Sequence, residues 1–118
     1  MGRPVVHFEI LGKDAKKLQD FYAKLFDWKI DANNPMSYGL VEPNEGGPLP
    51  GPGGGIAASM DGRSYVTVYV QVVDLNETLK QAERLGGKAV MQPMDVPGGP
   101  TIAQLADPEG NLIGLIKQ

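Results

Sequence analysis

His7, the only histidine of the 118-residue chain, stands two residues from Glu9 in an apolar run over residues 5–11. Strand alternation points both side chains at one face. An imidazole beside a carboxylate can move a proton, the carboxylate orienting the ring or sharing the transfer. The same pair can also give two ligands to a weak metal site. The plainer alternative is a hydrogen-bonded histidine with no chemical task. A second apolar run, residues 65–73, places Thr67, Tyr69 and Gln71 on one face by the same alternation. Tyr69 can stack on a ligand or bond to it, or be a partly exposed sheet tyrosine. Gln104 is a further polar candidate near a turn.

The elements that must carry these residues repeat. Each run ends near an aspartate, Asp14 or Asp74, and a helical pattern follows each. The offset is roughly 60 residues, as for repeated supersecondary units. Asp14 is a good N-cap for a helix reaching about Phe26, with Ala15, Leu18, Phe21, Tyr22, Leu25 and Phe26 as one buried stripe. Strands are expected around Trp28 and Ile30, over 38–41 and over 56–58. Asp61-Gly62 is the natural joint, dividing one domain into modules 1–60 and 61–118.

The second module repeats the order. Its helix runs from about Leu75 to Leu85, with Leu75, Thr78, Leu79, Ala82 and Leu85 facing inward and Gly86-Gly87 as the cap. Val66, Val68, Val70 and Val72 form the helix-packed strand face, leaving Thr67, Tyr69 and Gln71 to a cleft or a solvated surface. Short strands follow near 89–91, 101–105 and 112–116, the last two joined by a turn at Asp107-Pro108-Glu109-Gly110-Asn111. Each module therefore reads β-α-β-β-β, an α+β class.

Two Gly/Pro-rich stretches, 43–55 and 93–100, are expected as loops flanking the cleft. The first is not read as a phosphate cradle, because no helix start with a Lys or Arg stands behind Gly53-Gly54-Gly55. Trp28 is expected to pack beside the first helix, and Lys16, Lys17, Lys80 and Arg84 to form a solvated face.

Composition narrows the classes. Hydrophobic content of 42% with 21% charged residues suits a globular chain. A net charge of -3 gives no basic footprint for nucleic acid. The chain has no cysteine, hence no thiolate nucleophile and no sulfur-ligated metal. No apolar run approaches the ~18–20 residues of a membrane span, and there is no signal-peptide core, so the expectation is a cytoplasmic protein without membrane partners.

The paired β-α-β-β-β units, the strand-Asp-helix order, Leu85-Gly86-Gly87 and Asp107-Pro108-Glu109-Gly110-Asn111 together resemble the vicinal oxygen chelate superfamily. That group includes glyoxalase I, bleomycin-resistance proteins and extradiol dioxygenases. The resemblance implies two tandem modules forming a half-barrel cleft, and a homodimer in which units of two chains complete each cleft. For members with metal activity it implies one metal ligand on the first strand and one on the last strand of each unit. His7 matches the first of these positions and Thr67 its counterpart. The last-strand positions fall near Gly114 and around Gly55-Ile56-Ala57, which carry no ligating side chain. His7 is thus the only candidate metal ligand, and no complete divalent site is expected.

The function implied is the holding of a small organic molecule in the cleft, as drug-sequestering relatives do. The slightly acidic balance favours neutral or cationic ligands. The alternative is a glyoxalase-like lyase or isomerase, or a dioxygenase, with His7 and Glu9 as its chemical residues. Thr67, Tyr69, Gln71 and Gln104 would line the ligand in either case.

Overall fold

The computed structural model describes residues 2–43 and 51–117. Its order is β1 (Val5–Gly12), α1 (Ala15–Phe26), β2 (Ile30–Asp31), β3 (Gly39–Val41), β4 (Gly54–Ala58), β5 (Tyr65–Gln71), α2 (Leu75–Arg84), β6 (Lys88–Asp95), β7 (Thr101–Ala106) and β8 (Leu112–Lys117). The α+β class and the β-α-β-β-β order both appear. The chain divides into two compact units, one of His7–Val66 and one of Thr67 onward with the first residues up to Val6.

In the His7–Val66 unit the strand order is β2-β3-β4-β1. β1 runs parallel to β4 with Glu9 beside Gly55, and β3 runs antiparallel to β4. Asp14 caps α1 as expected, its Oδ1 accepting from the Lys17 N–H at 3.1 Å. The predicted buried stripe does not form. No residue of α1 is buried, and Phe21, Leu25 and Phe26 are 55%, 58% and 51% exposed. The reason lies in what the helix rests on. Glycines take up its contact with the sheet, since a Cβ on Gly12 would meet Leu18 at 2.8 Å and one on Gly39 would meet Gln19. The aromatic residues pack among themselves instead. Trp28 lies 5.7 Å from Tyr22, 5.1 Å from Phe26 and 5.4 Å from Phe8. Trp28 thus packs beside the helix, as expected.

In the other unit the order is β5-β8-β7-β6, with β5 parallel to β8 and Tyr69 beside Gly114. Val72, Leu75, Leu79, Ala103 and Leu115 form a core, joined by Val70, Ala89 and Leu105. Asp74 caps α2 by accepting from the Glu77 N–H at 3.0 Å. The helix closes on Gly86 at φ 98°, with Gly86 N–H donating to the Glu83 carbonyl and Gly87 N–H to that of Ala82. This pair of bonds satisfies carbonyls that the helix end leaves over.

Several boundaries differ from expectation. Leu85 lies beyond the helix and is exposed, because the left-handed residue after it turns the chain away. β6 continues through Pro93 to Asp95, with register shifts between Ala89 and Met91 and again between Met91 and Met94. Those irregularities accommodate a proline that cannot donate to the ladder. Only the turn after Asp95 is loop, tied by Val96 N–H to the Pro100 carbonyl at 3.0 Å. In the other Gly/Pro stretch Gly54 and Gly55 belong to β4, and residues 44–50 lie outside the described residues. The described part of the chain has no helix long and apolar enough to cross a membrane.

Candidate functional site

His7 and Glu9 do share a face of β1, and a third residue joins them. The Tyr38 hydroxyl donates to Glu9 Oε2 at 2.8 Å. It also lies 2.9 Å from His7 Nε2. A phenol has one hydrogen, here given to Glu9, so the His7 contact requires Nε2–H to be the donor. The three groups form a directed run, His7 to Tyr38 to Glu9. Burial lowers the His7 pKa below the ordinary 6.5, which favours the neutral ring. Glu9 is itself buried, at 9% exposure, where a carboxylate needs hydrogen-bond donors.

Tyr38 reaches this point by way of its local structure. It precedes β3, and its backbone is gripped by Asn34, whose Nδ2 donates to the Tyr38 carbonyl at 2.7 Å and whose Oδ1 accepts from the Tyr38 N–H at 2.9 Å. Gln19 of α1 donates to the Ile56 carbonyl at 2.8 Å and to the Ser37 carbonyl at 3.3 Å, tying the segment to β4. The Tyr38 hydroxyl and ring lie where a side chain on Gly55 would begin. Burial and, secondarily, the negative charge of Glu9 push up the pKa of the Tyr65 phenol, also in this unit.

The polar face of β5 is drier than its composition implies. Thr67 and Tyr69 are each 4% exposed, while Val66 on the opposite face is 67% exposed. Thr67 Oγ1 donates to the Leu112 carbonyl at 2.7 Å. Gln104 Nε2 reaches the Tyr69 hydroxyl at 3.4 Å, a weak contact. A Cβ on Gly114 would lie 2.5 Å from the Tyr69 ring. Gln71 is half-buried, and its N–H donates to the Pro4 carbonyl at 2.9 Å. The structure therefore gathers His7 with Glu9 in one unit, and Thr67, Tyr69 and Gln104 around β5 and its neighbours in the other.

Tyr38 escapes sequence reading because its partners are 29 and 31 residues away. One signal was available. Glycine inside a strand marks close approach by another group, and Gly55 and Gly114 each have a tyrosine ring upon them.

The model of the Glyoxalase/Bleomycin resistance protein/Dioxygenase superfamily matches residues 5–115. The chain belongs to this superfamily. Solved structures share its fold at low identity. A superfamily member from Vibrio splendidus 12B01 aligns with TM-score 0.65 and 13% identity, over 99% of this chain and all of that one. The methylmalonyl-CoA epimerase of Mycobacterium tuberculosis aligns at 0.65 and 16%, over 96% and 86% of the two chains. A Mn(II)-bound glyoxalase from Novosphingobium aromaticivorans aligns at 0.65 and 14%, over 99% of this chain but 40% of that one. No curated protein matches the chain.

Glyoxalase-superfamily membership raises the question of a metal, on which the donors at the implied positions bear. Of the four implied ligand positions, His7 offers an imidazole and Thr67 commits its hydroxyl to Leu112, Gly114 offers no side chain, and in the stretch Gly55-Ile56-Ala57 the residue beside Glu9 is a glycine. Glu9 adds one carboxylate, and no group of three His, Cys, Asp or Glu occurs among the described residues. Among the described residues, one imidazole and one carboxylate are fewer than the three or four protein ligands a divalent ion takes.

Proposed function

We propose that this superfamily member binds a small organic molecule against the polar sheet face bearing His7, Tyr38 and Glu9, without a complete metal site. The observation that carries the reading is the Tyr38 hydroxyl bonded to both His7 Nε2 and Glu9 Oε2. It sets three polar groups with defined donor and acceptor roles on a part-buried face, and a few such groups fix a ligand's orientation. Thr67, Tyr69, Gln71 and Gln104 are the corresponding contacts proposed in the other unit. The net charge of -3 favours a neutral or cationic ligand.

A screen of small aromatic and cationic compounds by thermal shift and NMR tests this. A saturable binder whose affinity falls about tenfold or more in Glu9→Gln supports the reading. Binders indifferent to Glu9→Gln and Tyr38→Phe alike would remove it.

A second reading is favoured by the direction of the same hydrogen bonds. In a metal-independent lyase or isomerase, His7 and Glu9 would exchange protons with substrate while Tyr38 links them. Turnover lost in both His7→Gln and Glu9→Gln, with binding retained, would select that reading.

A homodimer belongs to the same proposal. Phe21, Leu25 and Phe26 stand open on one helix of the single chain, and a second copy is the proposed cover. Contiguous apolar surface commonly marks such interfaces.

A further inference from the structure

We propose that Tyr38 takes the place that a metal holds in metal-binding members of the superfamily, and that Tyr38 and Gly55 lock each other into a metal-free site. The hydroxyl stands between His7 Nε2 and Glu9 Oε2, at 2.9 and 2.8 Å, and so occupies the space between the two donors. The end of the same side chain covers Gly55, the residue beside Glu9 on the neighbouring parallel strand. Residues in register on adjacent strands point to one side. A carboxylate at 55 would therefore stand next to Glu9 and complete a three-donor set with His7.

That completion is barred twice. Glycine supplies no donor, and a Cβ added there meets Tyr38. Restoring the ligand alone must push the tyrosine aside, against the two Asn34 bonds to its backbone and the Gln19 bond to Ser37. Removing the tyrosine alone leaves two donors among the described residues, His7 and Glu9, fewer than a divalent ion takes. Neither single change restores the site, and the two together do. The other unit has its own tyrosine over a last-strand glycine, Tyr69 on Gly114. There the ring comes from the first strand rather than from a loop, so the two units reach the same filling by different routes.

The proposal rests on His7 and Glu9 being the working pair of the proposed function, but not on which molecule they meet. A failed compound screen leaves it standing, and a metal-binding wild type leaves the screen to be judged alone.

The test is Co²⁺ titration of the full chain, followed by visible absorption and by the ring ¹⁵N signals of His7. Wild type, Gly55→Glu and Tyr38→Ala are expected to stay within about tenfold of one another. The double variant Tyr38→Ala/Gly55→Glu is expected to bind on the order of 100-fold tighter, with the His7 signals shifted. Co²⁺ uptake through His7 in the wild type would overturn the proposal. So would a folded double variant, judged by circular dichroism, that binds no tighter than the singles. Tyr38→Phe supplies an independent arm that keeps the ring. Its His7 Nε2 signal must move when the hydroxyl is lost, and an unmoved signal means that the hydroxyl does not hold this position.

Discussion

Burial lowers the His7 pKa from its ordinary 6.5, and this sets the sign of a pH effect. With the folded value below the unfolded one, the unfolded chain binds the extra proton first as pH falls. The contribution of neutral His7 is complete above the unfolded value and is lost as pH drops below about 6.5 toward the folded value. Urea midpoints measured between pH 8 and pH 5 should decline in wild type, and His7→Gln should remove part of that decline. Tyr38→Phe takes a hydrogen-bond partner from both His7 and Glu9. A loss of about 1–3 kcal/mol is expected from chemical unfolding. Gly55→Ala should reproduce part of that loss, because the new methyl displaces the same tyrosine.

At the scale of elements, the two tyrosine–glycine contacts should differ in tolerance. Tyr69 is fixed on β5 and 4% exposed, so its ring has little room to retreat from a methyl on Gly114. Gly114→Ala should cost about 1–3 kcal/mol as overpacking, read as a shifted urea midpoint. The turn before β8 depends on one carboxylate. Asp107 accepts from the N–H groups of Glu109 and Asn111 at 2.9 and 2.8 Å and from Asn111 Nδ2 at 2.8 Å. Asp107→Ala should weaken β7–β8 pairing by about 1 kcal/mol, seen as faster amide exchange across that pair. Both aspartates that end the repeated strands are helix N-caps, which explains the strand-Asp-helix order without assigning them chemistry.

For the molecule as a whole, the open face of α1 is the feature that most needs a partner. Phe21, Leu25 and Phe26 are each more than half exposed, although their spacing reads as a core stripe. If a second copy covers them, sedimentation should give a dimer, and Phe21→Glu should shift it toward monomer. A monomeric wild type would remove the dimer from the proposed function.

The class, the repeated β-α-β-β-β plan, the Asp14 cap, the Gly86 stop and the shared face of His7 and Glu9 were legible in the sequence alone. Each depends on local periodicity or on residues within a few positions, which a linear pattern records. The stripe of α1 was misread because periodicity states which residues are apolar, not whether one chain has anything to put over them. The dryness of Thr67 and Tyr69 was also out of reach, since alternation sorts faces but not their cover. Tyr38 marks the clearest boundary. Its hydroxyl meets His7 and Glu9 only after β3 pairs with β4, β4 pairs with β1, and Asn34 grips its backbone. The sequence determined that a histidine and a carboxylate would share a strand face. Tertiary packing alone decided that a phenol would stand between them, because that contact joins segments some thirty residues apart.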